Sequence, residues 1–116
     1  GLPEYFSLKL ISLIHEISEG EQFEDITAPD FYACMNLHPC QCVLKIKPRE
    51  KIRVCYLISL MKEQLPEQDK DKWKEAILKH LDIDEDYYKS KYREPVSDLP
   101  SIPNQKFAKE MDGIFL

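Results

Sequence analysis

The sequence predicts an all-α protein: a single domain of five or six helices around a central buried helix, with at most one small two-stranded hairpin. Three observations lead to this prediction: a long apolar run at residues 48–65, amphipathic stripes in the flanking segments, and helix start and stop signals between them. The chain has 116 residues, 43% of them hydrophobic and 32% charged, so it can bury one core. We expect residues 1–116 to be one domain and, because the chain opens with Gly1 instead of Met, a fragment of a longer protein.

Residues 3–19 are predicted to form the first helix, because apolar residues recur there along one stripe. Gly20 follows at the position where a left-handed residue often ends a helix. The side chains expected to face inward are Phe6, Leu10, Leu13, Ile14 and Ile17.

The second helix is predicted to begin at Thr27, whose hydroxyl can cap it together with Asp30 three residues later. Pro39 ends it, because the residue before a proline disfavours the helical conformation. Residues 42–47 then alternate as an edge strand does, and residues 22–26 are the nearest segment that could pair with them. These two segments are the predicted hairpin.

Residues 48–65 form the longest apolar run, which only Arg53 and Ser59 interrupt between positions 52 and 61. Apolar side chains fall on both sides of a helix drawn through this run. Such a helix needs neighbours around most of its circumference, so we predict that it is the centre of the core.

Residues 69–81 are predicted to form the next helix, after a turn at Pro66. Asp84 stands as the N-cap of a fifth helix, which stops before Pro95.

Three prolines within residues 95–103 predict a stiff, non-helical connector over the surface. Asn104 is expected to cap the last helix, whose inward side chains are Phe107, Ala108, Met111, Ile114 and Phe115.

No arrangement typical of an enzyme is visible in the sequence. The three histidines have no serine or cysteine beside them in a nucleophile motif, and the three glycines are too scattered to form a phosphate-binding loop. We therefore expect no catalysis, no cofactor and no small-molecule substrate. The longest apolar run is too short to cross a bilayer, so no membrane partner is predicted.

Three of the four cysteines and one histidine fall within residues 34–42. Cys34 and His38 are four positions apart, a spacing at which two helical residues can bind one metal ion, and Cys40 and Cys42 complete a composition that suits zinc. Structural zinc sites usually take ligand pairs from two separated segments, however, and nothing downstream offers a second pair. We predict free thiols without metal, in a reducing, cytoplasmic compartment.

Residues 76–93 have the pattern of a helix-turn-helix with its turn at Asp82. The apolar positions of that motif are occupied by Ile77, Leu81, Ile83 and Tyr88. The pattern departs from the motif at Leu78, where a small residue is usual, at Asp82, where glycine is usual, and at Lys91, where an apolar residue is usual. An ordinary helix pair in an all-helical core is the alternative interpretation.

Charge limits the function further. A net charge of −5 argues against a surface devoted wholly to phosphate binding, and carboxylates occupy residues 84–86, where a recognition helix would meet DNA. Basic residues still collect at the end of the fifth helix and near the central helix, where Arg49 and Arg53 should present one cationic edge. The residues predicted to contact a nucleic acid or a protein partner are Lys45, Lys47, Arg49, Arg53, Lys89, Lys91 and Arg93.

These features predict a non-enzymatic regulatory domain of helix-turn-helix, DNA-binding type. The alternative is a helical protein–protein interaction module that does not bind nucleic acid.

Four motifs occur in order along residues 44–115: LKIK, YLISL, ILKHLDIDEDYYKSKYR and QKFAKEMDGIF. Their order resembles the C-terminal region of RteC-type regulators, which are carried on mobile elements of Bacteroidetes. The most specific points are the Ile-Asp pair, Tyr87 with Tyr88, and Lys106 with Phe107. The family has a longer basic ending and no proline-rich gap like residues 95–103. The resemblance implies a helical, winged-helix-like domain that serves in the regulation of element excision or transfer.

Overall fold

Six α-helices and one short 3-10 turn make up the computed structural model, which describes residues 2–116. Gly1, on which the expectation of a fragment partly depends, lies outside the described residues. The helices are α1 (Leu8–Ser18), α2 (Ala28–Met35), α3 (Lys51–Glu63), α4 (Glu67–His80), α5 (Glu85–Lys91) and α6 (Ile102–Phe115), and the 3-10 turn is Glu94–Val96. The predicted all-α class with five or six helices is confirmed.

Helix α3 lies at the centre of the core, as its apolar run predicts. Its five consecutive residues 54–58 are buried, and so is Met61. The helix contacts α4, α5, the 3-10 turn and α6, so neighbours surround it on most sides. A mixed-polarity helix could not be enclosed in this way without burying unpaired charge.

The predicted hairpin is reduced to a short antiparallel bridge between Phe23 and Ile46. The backbone N–H of Glu24 donates to the carbonyl of Lys45 at 2.9 Å, and the N–H of Lys47 donates to the carbonyl of Gln22 at 2.9 Å. The two predicted segments therefore do pair, but over too few residues to form strands.

The first helix begins later than its apolar stripe predicts. It starts at Leu8 and is capped by the hydroxyl of Ser7, because Tyr5 and Phe6 instead donate their backbone N–H groups to the side-chain oxygen of Asn36, at 2.7 and 2.8 Å. The inward position predicted for Leu13 is wrong, since this side chain is 41% exposed.

Helix ends follow the capping residues where these were identified. Gly20 has φ +74° beyond the end of α1, and the hydroxyl of Thr27 accepts the N–H of Asp30 at 3.3 Å. Helix α2 ends at Met35, before Pro39 can terminate it, because Leu37 takes φ +60° and the N–H of His38 then donates to the carbonyl of Ala33 at 2.8 Å. This bond satisfies a carbonyl that the helix end leaves free.

The cap predicted for the last helix is wrong. Ser101, and not Asn104, is the N-cap of α6, and its hydroxyl accepts the N–H of Asn104 at 3.3 Å. Pro103 lies in the first turn of α6, where the missing N–H of proline leaves no bond unmade. Pro95 is buried in the 3-10 turn, so the predicted connector of residues 95–103 is non-helical only at residues 97–101.

Trp73 joins three parts of the chain that are far apart in sequence. Its side chain on α4 is fully buried, and its indole N–H donates to the carbonyl of Met35 at the end of α2, at 2.8 Å. The ring of Phe6, from the segment before α1, meets it edge-on at 4.9 Å between centroids. The N-terminal third is thus held against α4.

Candidate functional site

The end of α4, a tight turn and α5 occupy the stretch in which the sequence has a helix-turn-helix pattern. Asp82 has φ +55°, the left-handed conformation that glycine usually supplies at this turn. Asp84 then caps α5 by accepting the N–H of Tyr87 at 3.3 Å. The residues at the four apolar positions, Ile77, Leu81, Ile83 and Tyr88, are all buried.

The three departures from the pattern are accommodated in different ways. Leu78 is buried in the core, although a smaller residue is usual there. Asp82 takes the glycine conformation, which aspartate tolerates better than most residues. Lys91 is half-buried, and its ammonium group lies 3.1 Å from the carboxylate of Glu94.

One of the three carboxylates at the start of α5 has a structural role. The carboxylate of Glu85 lies 3.3 Å from the ammonium group of Lys74, whose side chain is buried on α4. The same ammonium group lies 5.5 Å from the ring centroid of Tyr88. Glu85 therefore neutralises a buried cation, whereas Asp84 and Asp86 are exposed.

Three of the seven predicted contact residues use their charged groups within the chain. The ammonium group of Lys47 donates to the carbonyl of Gly20 at 2.8 Å, and Lys91 pairs with Glu94. The guanidinium of Arg53 bonds to the carboxylate of Glu50 and to the side chain of Asn104. These groups are not free to bind a phosphate.

The other four predicted contact residues, Lys45, Arg49, Lys89 and Arg93, are exposed, and none of them forms an ion pair within residues 2–116. The single cationic edge predicted for Arg49 and Arg53 is wrong. Helix α3 begins only at Lys51, and Arg49 precedes it with φ +69°. The start of α3 nevertheless lies close to α5, since the ammonium group of Lys51 is 4.6 Å from the ring centroid of Tyr87.

Away from the helix pair, Cys40 and Cys42 lie beside Asp30, a residue that was not among the predicted metal ligands. The side-chain donor atoms of Asp30, Cys40 and Cys42 all lie within 4.8 Å of one another. The thiol of Cys42 donates to one carboxylate oxygen of Asp30 at 2.9 Å, and the thiol of Cys40 lies 3.9 Å from the other. The thiol of Cys34 lies 3.9 Å from the carbonyl oxygen of Cys42.

These contacts change the acidity of the groups. Hydrogen bonds from Cys42 and Thr27 lower the pKa of Asp30, and the hydrogen bond to Asp30 raises the pKa of Cys42 to about 11. Burial, followed by the nearby Cys40 and Cys42 thiols and Asp30, raises the pKa of Cys34.

His38 is not part of the group formed by Asp30, Cys40 and Cys42. Its ring Nε2 instead donates to the carbonyl of Pro3 at 2.6 Å. The sequence pattern indicates only a capping role for Asp30. No spacing signal could have found its second role, because it depends on how the loop after α2 returns.

No protein-family model, curated protein or solved structure matches this chain. Within residues 2–116, none of the helices has both the length and the hydropathy that crossing a bilayer requires.

Proposed function

We propose that this chain is a non-enzymatic regulatory domain that binds DNA through the helix-turn-helix formed by α4 and α5. The observation that carries the proposal is the left-handed conformation of Asp82 between two helices whose apolar motif positions are all buried. A helix-turn-helix needs this sharp turn to set its second helix across the first. Helix α3 contacts both members of the pair, which supports a three-helix version of the motif.

The free cations near α5 would make the contacts. Lys89 and Arg93 are exposed and four positions apart, and Arg49 and Lys45 precede α3, whose first residues approach α5. The carboxylates of Asp84 and Asp86 repel phosphates at the start of α5. Contacts from its C-terminal end should therefore go mostly to the DNA backbone, with modest affinity and strong salt dependence.

The resemblance to RteC-type regulators implies regulation of a mobile element. The compartment that we propose is the cytoplasm, because all four cysteines are free thiols.

Titration of the chain against mixed-sequence duplex DNA at several salt concentrations tests this proposal. We expect dissociation constants on the order of 1–100 µM at physiological salt, and a log-log slope of about 0.9 per phosphate contacted. The double substitution Lys89→Ala, Arg93→Ala should weaken binding and reduce that slope by up to about two units.

A matched control removes two exposed lysines outside the helix pair, Lys9→Ala on α1 with Lys109→Ala on α6, and changes the net charge equally. The control should keep the wild-type slope. Absence of binding at low salt, or equal losses in both double variants, would contradict a specific role for α5.

A protein partner is the second candidate, favoured by exposed apolar side chains around the connector. Leu99 is 94% exposed, Ile102 81% and Val96 54%, and all three fall within seven positions of the chain; exposed apolar residues that form one patch mark interaction sites. Sedimentation over a range of concentrations can test contact between copies of this chain. Leu99→Ser with Ile102→Ser should then abolish association, whereas a wild-type monomer at every concentration would contradict it.

A further inference from the structure

We propose that Asp30, Cys34, Cys40 and Cys42 form a zinc-binding site. The proposal replaces the expectation of metal-free thiols and changes the ligand set, because Asp30 stands in place of His38. It is independent of DNA binding, since none of these residues belongs to the helix pair.

The ligands come as two pairs from two segments. Asp30 and Cys34 are four positions apart on α2, so their side chains lie on the same face of the helix. Cys40 and Cys42 lie in the loop that returns past this face. Structural zinc sites are commonly built from two ligand pairs, and here one pair lies on a helix and the other in the loop that follows it.

The distances are close to those of a tetrahedral site. The donor atoms of Asp30, Cys40 and Cys42 lie within 4.8 Å of one another. Zinc bonds of the usual lengths place neighbouring ligand atoms about 3.5–3.8 Å apart, so these three ligands need movements of about 1 Å to close around an ion. Cys40 and Cys42 are exposed in a loop, where such movements meet little packing resistance.

Cys34 is the natural fourth ligand. It is half-buried, and its thiol lies 3.9 Å from the carbonyl oxygen of Cys42. The three cysteines also line one cleft of 520 Å³, which gives an ion a path to them.

The protonation of the cluster suits a site that exchanges protons for metal. The thiol proton of Cys42 lies between its sulfur and the carboxylate of Asp30. On binding, each thiol that becomes a ligand loses one proton, and the Zn²⁺ charge takes over the stabilisation of Asp30. Thiolate sulfur favours zinc over calcium or magnesium, which prefer oxygen ligands.

The experiment titrates the reduced, metal-free chain with Co²⁺ and then with Zn²⁺. Tetrahedral Co²⁺ with thiolate ligands gives intense visible bands and a sulfur-to-metal charge-transfer band in the near ultraviolet. We expect both at one equivalent, with loss of both on addition of one equivalent of Zn²⁺. Zn²⁺ should also raise the thermal midpoint of the chain.

Two variants probe the ligands without disturbing the core. Cys40→Ser and Asp30→Asn should each lower Zn²⁺ affinity by more than about 100-fold, because even the outer-shell partners of metal ligands are worth 10- to 100-fold. Circular dichroism checks that both remain folded. Cys55→Ala, which removes the buried thiol of α3, and His38→Ala should keep the cobalt spectrum.

Three outcomes would overturn the proposal: no charge-transfer band in the wild type, a band that survives Cys40→Ser, or a band that disappears with His38→Ala. A weaker charge-transfer band in Cys34→Ser would support Cys34 as the fourth ligand, and an unchanged spectrum would remove it from the set.

Discussion

Arg53 and Glu50 form a two-pronged ion pair at the start of the central helix. The guanidinium Nε donates to Oε1 at 2.7 Å and Nη2 donates to Oε2 at 2.8 Å. The remaining nitrogen, Nη1, donates to the side chain of Asn104 on α6 at 2.7 Å, and the side-chain amide of Gln22 donates to Glu50 at 3.1 Å. This network joins the bridge segment to the beginnings of two helices, so Arg53 has a structural role.

We expect Arg53→Lys to destabilise the fold almost as much as Arg53→Ala. An ammonium group cannot reproduce the planar fork, and Asn104 is buried and would lose a charged donor. The loss should be about 1–3 kcal/mol for each variant, measured by urea unfolding. Lys45→Ala, an exposed cation in the preceding loop, is the control and should change stability by less than about 0.5 kcal/mol. Full stability in Arg53→Lys would mean that the fork is dispensable.

The core assignment predicts large losses at Leu57 and Ile58, which are both fully buried on α3. Leu57→Ala and Ile58→Ala should each cost on the order of 2–5 kcal/mol, because each removes buried surface and leaves a cavity. Denaturant midpoints give the result, with exposed Lys72→Ala as reference. A loss below about 1 kcal/mol at both positions is incompatible with a central α3.

The left-handed turn between α4 and α5 predicts a difference between two substitutions at one position. Asp82→Gly should be neutral or stabilising, whereas Asp82→Val should be less stable than Asp82→Gly by about 1–2 kcal/mol, because a branched side chain opposes φ +55°. Glu75→Val, at an exposed position within α4, should change stability by only a few tenths of a kcal/mol. Equal stability of the two Asp82 variants would indicate that the turn has another conformation.

The two carboxylates at the start of α5 should respond differently to removal. Asp86→Asn removes a repulsive exposed charge and should strengthen DNA binding about two- to fivefold at low salt without loss of stability. Glu85→Gln should instead destabilise the fold by about 1 kcal/mol, because it leaves the buried Lys74 without its ion partner. Binding titrations and unfolding curves on both variants check this. Glu24→Gln is the control for net charge, and an equal gain there would remove any local role for Asp86.

Alkaline pH should weaken the fold through Cys55. Burial raises the pKa of this thiol from its ordinary 9.0 to about 11. The folded state therefore holds the proton more tightly than the unfolded state does, so the contribution is complete below pH 9.0 and is lost as the pH rises towards about 11. Burial also raises the pKa of Tyr56 and Tyr88, which adds to the same trend.

Unfolding midpoints across this window measure the loss. Cys55→Ala should lower stability throughout but make its decline with pH less steep. An unchanged slope in Cys55→Ala would assign the decline to the tyrosines.

The parts of the fold that could be predicted from sequence depend on neighbours in the chain. Thr27 and Asp84 cap the helices that follow them, and the unbroken apolar run of α3 requires burial whatever surrounds it. The errors arise where distant groups compete for the backbone. Asn36 takes the N–H groups of Tyr5 and Phe6, which shortens the first helix.

In the candidate sites, too, the local pattern could be predicted from sequence and the long-range contacts could not. The register of the helix pair is a local pattern, and the structure buries its four apolar positions. The contact of Asp30 with Cys40 and Cys42 crosses ten to twelve positions of irregular chain, and no periodicity encodes such a loop. The pairing of Arg53 with Asn104 spans 51 positions and was equally invisible to spacing rules.

The position of Trp73 makes the chain its own optical probe. It is the sole tryptophan, and it touches both the end of α2 and the segment before α1. Its emission therefore reports whether these segments are docked on α4, at a wavelength where no other residue interferes. Because α2 also carries Asp30 and Cys34, detachment of α2 from α4 would be visible by fluorescence without any attached label.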